Sequence, residues 1–178
     1  MDDATLINEC VKGNAKAQKM LFDKFAPKMM TVCLRYSSDK MEAEDILQDG
    51  FVKVFNKVVD FKMDGSLEGW VRRIMVNTAL DAIRKNKKYA MDANLDDVGY
   101  KMSNNEIASD QMEADDLMKL VNSMPDGYKL VFNLFAIEGY SHKEIGELMN
   151  ISENTSKSQY SRARSYLRTL LEKLEIER

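Results

Sequence analysis

Apolar positions along this chain recur at spacings of three and four, the period of an amphipathic helix, and no stretch alternates as a strand does. The first two predicted helices cover 5–12 and 14–36. The second carries Leu21, Phe22, Phe25, Met29, Val32 and Cys33 on its inward stripe. Pro27 lies inside it, where a missing N–H and a ring clash predict a bend or break. Residues 41–59 follow, with Ile46, Leu47, Phe51, Val54, Phe55 and Val58 facing inward. The stretch "DFKMDGSLEG" (60–69) has two glycines and no period, so it reads as a loop. A helix over 67–86 then carries the single tryptophan, Trp70.

From about Tyr89 to Asp110 the period gives way to "YAMDANLDDVGYKMSNNEIASD", which is polar, acidic and rich in turn-forming residues. Such a segment behaves as a flexible tether. Helices resume near 111–123, 126–138, 142–149 and 153–174, with Pro125 placed to open the second of these. The pattern predicts an all-α chain of two small helical domains, 1–88 and 111–178, joined by a flexible acidic linker at 89–110.

Charge sharpens this division. The net charge of −3 conceals opposed blocks. Residues 72–88, "RRIMVNTALDAIRKNKK", hold six cations and one acid, a balance of +5, while 92–116 hold eight acids and one lysine, a balance of −7. There is no long uncharged apolar run, and the N-terminus "MDDATLINEC" is acidic, which predicts neither a signal peptide nor a membrane span. Cys10 and Cys33 are far apart and read as reduced core residues of a cytoplasmic protein. His142 is the sole histidine, so no zinc site or triad can be built on a histidine pair. With no phosphate-cradling glycine loop, nucleophile elbow or metal-ligand cluster, no catalytic residue, metal or cofactor is expected.

The candidate chemistry lies near the C-terminus. Ser141 caps a short predicted helix whose Ile145, Leu148 and Met149 face inward. A turn through Asn150 and Ile151 follows, and Ser152 caps the next helix. In that last helix Tyr160, Ala163, Leu167, Leu170 or Leu171, and Leu174 form the inner stripe. The opposite face presents Lys157, Ser158, Ser161, Arg162, Ser165 and Arg168. Short hydroxyl side chains between cations let a helix approach phosphates closely and bond to base edges. Helix, short turn and helix with a basic outer face is a helix-turn-helix. A solvated face on a terminal helix would show the same charges, but here cap, turn and both faces agree on DNA binding.

The segment "SMPDGYKLVFNLFAIEGYSHKEIGELMNISENTSKSQYSRARSYLR" resembles region 4 of RNA polymerase sigma factors, above all the extracytoplasmic-function (ECF) group. Its marks are Met124-Pro125, "EGYSHKEIGE", and a recognition helix running into "RAR". In the first domain "AEDILQDGFVKVF" resembles region 2.2, and "SLEGWVRRIMVNTALDAIRKNKK" resembles regions 2.3 and 2.4. Two separate matches in the right order cover nearly the whole chain. The resemblance implies a cytoplasmic specificity subunit of bacterial RNA polymerase. It would bind core enzyme through the β′ clamp helices and the β flap, recognise promoter DNA, and answer to an anti-sigma factor.

Residue by residue, the resemblance implies three sites. Glu42, Asp45 and Asp49 share a helix face that on its own reads as solvated. Asp45, Gln48 and Asp49 occupy the positions that dock on the clamp helices, where an acidic and amide patch suits a basic partner. Along 67–88, Arg73, Asn77, Arg84 and Lys88 would hold the −10 element. Asn77 pairs donor and acceptor for one base edge, although an asparagine in a helix also serves to cap or bond a neighbouring loop. The loop Phe61–Gly69 would roof a flipped base, with Phe61 and Trp70 as core and scaffold. In the last helix Lys157, Ser158, Ser161 and Arg162 would read the −35 duplex.

Some positions depart from the commoner pattern. Ser156 stands where an inward valine is usual, so its hydroxyl faces the core or bonds back to a carbonyl. Phe135 and Ala136 lie where relatives carry charge, and Asn150 replaces a glycine in the turn, where its tolerance of a left-handed backbone should keep the turn. A helix-turn-helix regulator that never binds polymerase is the alternative. It would leave the patch at 42–49 and the basic helix at 72–88 without a role.

Overall fold

The computed structural model describes residues 2–92 and 114–176, with side-chain surroundings for 2–87 and 116–175. The chain divides into two units, Met1–Val98 and Gly99–Arg178. Both are helical, and no strand occurs among the described residues.

The first unit contains α1 (Asp3–Val11), α2 (Ala15–Leu34), α3 (Lys40–Lys57) and α4 (Leu67–Asp92). Local chemistry sets the starts: Asp2, Asn14 and Asp39 each accept backbone N–H groups at an N-cap. Ser66 does the same for α4, accepting from Gly69 at 3.2 Å. Leu21, Phe25, Met29 and Cys33 of α2 pack with Ile46, Phe51 and Val54 of α3 and with Val71, Met75 and Ala79 of α4, all buried. Each large apolar side chain so buried contributes about 1.5–3 kcal/mol before entropy is counted. Gly50 allows the closest approach, since a Cβ there would meet the Met75 side chain, its Cε at 2.9 Å.

Three expectations change here. Pro27 does not break its helix, and α2 runs through it from Ala15 to Leu34. The buried side chains on both sides of the proline hold the segment helical against the loss of one backbone bond. The loop at 60–69 changes only at its start, where a 3₁₀ turn covers Val58–Asp60; α4 begins at Leu67, as the period predicted. The α4 helix also continues past its predicted end at 86, through Tyr89 to Asp92. The rest of the expected linker, 93–110, lies outside the described residues.

The second unit contains α5 (Ala114–Asn122), α6 (Asp126–Phe132), α7 (His142–Met149) and α8 (Glu153–Ile176). Pro125 stands immediately before α6, where its missing N–H costs nothing. The helix foreseen over 126–138 is not uniform. At Asn133–Ile137 it widens into one π turn, closed by the Glu138 N–H on the Asn133 carbonyl at 2.9 Å. The core joins Leu120, Val121 and Met124 to Ala163 and Leu167 of α8, with Phe132, Tyr166, Leu170 and Leu171 packed around them.

Candidate nucleic-acid and partner interfaces

The α7–α8 turn is built by five residues, Ser141, Glu144, Gly146, Asn150 and Ser152. Ser141 and Glu144 form a reciprocal capping box, Glu144 Oε2 accepting the Ser141 N–H at 2.8 Å and Ser141 Oγ accepting the Glu144 N–H at 3.2 Å. Asn150 ends α7 in the left-handed region, φ 54° and ψ 47°, as its sequence position required. Gly146 accepts the Ile151 N–H at 3.0 Å, and a Cβ at 146 would stand 2.8 Å from the Ile151 carbonyl oxygen. Only a residue without a side chain lets α8 start this close to α7. Ser152 Oγ then caps α8, accepting the Thr155 N–H at 3.0 Å.

These constraints orient α8. Lys157, Ser158, Ser161 and Arg162 are all exposed, while Ala163 and Leu167 are buried. Lys157 pairs with Glu153 at 2.8 Å, and this hydrogen-bonded partner is the main reason the Glu153 carboxyl titrates below its ordinary range. Ser156 is fully buried, and its hydroxyl lies 2.9 Å from His142 Nδ1. A polar bond between α7 and α8 therefore replaces apolar packing. The His142 ring stacks on Phe135 at 4.2 Å, which in turn lies 4.5 Å from Tyr160. Tyr160, placed in the core by its spacing, is half-buried in this aromatic group instead.

On α4, Arg73 and Arg84 are exposed and Asn77 is half-buried, its Oδ1 enclosed and accepting no hydrogen bond. Arg84 pairs with Asp81 at 2.8 Å. Lys88 belongs to α4, but its side chain lies outside the described residues. Ahead of the helix, Phe61 and Trp70 are half-buried with ring centres 5.2 Å apart, fixing the two ends of the intervening loop to each other.

On α3, Asp45, Gln48 and Asp49 are exposed together. Glu42 is not part of a free patch. Its Oε2 accepts from the Ser38 N–H at 2.6 Å, and its Oε1 accepts from Asn86 of α4 at 2.7 Å. Two apolar side chains share the outer face instead, Met41 at 71% and Val52 at 58% exposure. Sequence reasoning missed both, though positions 41, 45, 48 and 52 recur at helical spacing.

Comparison with known proteins decides what these faces belong to. Residues 21–89 match the Sigma-70 region 2 family, and residues 114–167 match Sigma-70, region 4. The ECF RNA polymerase sigma factor SigW of Bacillus subtilis is 30% identical over 179 residues, covering 94% of this chain and 96% of the relative. The chain belongs to the ECF family of RNA polymerase sigma factors. A second ECF sigma factor, SigE of Mycolicibacterium smegmatis, is 32% identical over 152 residues, and the match spans 83% of this chain and 59% of that relative.

Solved structures share the fold of this ECF sigma factor. The complex of the sigma factor RpoE with the anti-sigma factor NepR from Bartonella quintana matches 86% of this chain and 96% of that one, with TM-score 0.59 and 23% identity. CnrH in complex with the cytosolic domain of CnrY matches 96% and 97%, with TM-score 0.52 and 20% identity. As a sigma factor, the protein directs RNA polymerase in transcription initiation. Among the described residues no helix is long and apolar enough to cross a membrane.

Proposed function

We propose that this ECF sigma factor docks on core polymerase through α3, holds the −10 element on α4 and reads the −35 duplex with α8. It performs no chemistry itself and acts in the cytoplasm. The observation that carries the reading is the outer face of α3. Two large apolar side chains left in water, Met41 and Val52, frame Asp45, Gln48 and Asp49. Apolar anchors beside charge are the anatomy of a partner surface, and the acids suit basic helices such as the β′ clamp.

The other two faces support the same division. On α4 the half-buried Asn77 amide, its Oδ1 without a hydrogen-bond partner, lies on the same helix as the exposed Arg73 and Arg84, and would meet a base edge while Arg73, Arg84 and Lys88 meet phosphates. On α8, Lys157, Ser158, Ser161 and Arg162 point outward beyond a rigid turn, as major-groove reading requires. The domain boundaries proposed are 1–88 for the −10 and core domain and 111–178 for the −35 domain, the second also meeting the β flap. One structural neighbour, the sigma factor RpoE, was solved with the anti-sigma factor NepR, which supports an anti-sigma factor as a further partner.

A regulator independent of polymerase would leave the α3 face without a use. Binding to core separates the two readings. The double variant Asp45→Lys, Asp49→Lys should lose about tenfold or more in core affinity, since like charges face each other across the contact. Both acids are exposed, so folding should be unaffected. Unchanged affinity in the folded double variant would remove α3 as the docking face.

A further inference from the structure

An acid on a DNA-binding face repels phosphate, yet Asp81 shares the outward side of α4 with Arg73, Asn77 and Arg84. It is the single acid of residues 72–88. Its two oxygens divide their work: Oδ1 accepts from Arg84 Nη1 at 2.8 Å, and Oδ2 accepts from Lys53 Nζ of α3 at 3.1 Å. Lys53 follows Val52 directly but is rotated off the outer face of α3, so its ammonium lies at the seam where α3 meets α4.

We propose that Lys53 is a further phosphate contact of the −10 surface, and that Asp81 is an internal competitor that holds Lys53 and Arg84 together until a phosphate displaces it. The inference rests on the reading of α4 as the −10 helix. Two cations against one acid leave the seam at +1, so phosphate is still attracted. A phosphate presents paired oxygens much as the carboxylate does, and so takes over both bonds in similar geometry. All three side chains are partly exposed, so the internal pairs are weak and readily exchanged. Free protein would then be restrained from binding DNA indiscriminately, and the basic surface would extend from α4 onto α3.

The test uses holoenzyme reconstituted from the full chain and its own core polymerase, with fork-junction DNA selected from a random pool by that holoenzyme. DNA affinity is measured against salt, and core affinity is measured separately. Lys53→Ala should lower the salt slope by about one unit on every sequence, and Lys53→Arg should restore it. Asp81→Asn should raise affinity several-fold for selected and unrelated DNA alike, whereas a merely structural role would lower it. Arg73→Ala serves as the reference. If it lowers the slope and Lys53→Ala does not, the seam proposal falls and the −10 reading stands. If neither variant lowers it, the −10 reading falls and takes the proposal with it. Loss of core affinity in Lys53→Ala with an unchanged DNA slope would assign Lys53 to the polymerase face and overturn the proposal.

Discussion

Gly146→Ala tests whether the α7–α8 turn is as tight as its geometry shows. The added Cβ would stand 2.8 Å from the Ile151 carbonyl oxygen, 3.4 Å from the Glu153 nitrogen and 3.6 Å from the Ser152 carbonyl carbon. All three are backbone atoms of the turn itself, so no flexible side chain can move aside. Overpacking of this kind costs about 1–3 kcal/mol. Alanine returns about 0.5–1 kcal/mol through its better helix propensity. Because the contacts are with backbone, the overpacking falls at the upper end of its range, about 2–3 kcal/mol, and the net loss of about 1–2.5 kcal/mol corresponds to a fall in melting temperature of roughly 4–20 °C for a domain of this size. Gly127→Ala is the control, because a Cβ there would meet only the flexible amide of Gln159 at 3.6 to 3.8 Å. Thermal unfolding followed by circular dichroism should show a lowered transition in Gly146→Ala and an unchanged or raised one in Gly127→Ala. Trp70, the single tryptophan, lies in the first unit, and its fluorescence transition should not move. A Gly146→Ala protein melting at or above the wild-type temperature would refute the reasoning.

The remaining predictions concern the DNA faces and the core. Asn77→Ala should leave stability unchanged or slightly raised, because it removes an enclosed acceptor that has no donor, while changing preference at one −10 position by about 1–3 kcal/mol. An equal loss on every −10 sequence would make Asn77 structural. Lys157→Ala should weaken all −35 sequences alike and lower the salt slope by about one, whereas Arg162→Ala should relax discrimination at one or two base pairs. Both are exposed, so unfolding of the second unit by either would mean that the two faces of α8 are reversed. Burial pushes the Cys33 thiol up to about 12, so at pH 8 it should resist an aromatic disulfide reagent until the protein is unfolded in urea. Rapid labelling of the native protein at Cys33 would show that the first core is open.

The helices were legible because each buries one clear stripe, as Leu21, Phe25 and Met29 do in α2 and Ala163 and Leu167 do in α8. The caps were legible too, since Ser141, Asn150 and Ser152 each have one local use. What escaped depends on contacts between elements. The helix survives Pro27 because of packing, which no local propensity encodes. Glu42 reads as one more acid of a patch until Asn86, distant in sequence, is found bonded to it. Ser156 had two foreseen partners, the core or a carbonyl, and the structure supplies a third in His142. The α8 face needed only periodicity, whereas the α3 face needed Met41 and Val52, which a search for charged chemistry passes over.

Promoter-directed transcription by core polymerase, with and without this chain, tests the central claim most directly. Templates drawn from a random promoter pool would be transcribed in vitro and the start sites mapped. With the chain present, transcripts should begin downstream of one class of sequence that shares two separated elements, and the Asp45→Lys, Asp49→Lys variant should abolish them. A chain that binds duplex DNA alone, yet adds no selective initiation to core polymerase, would contradict the account.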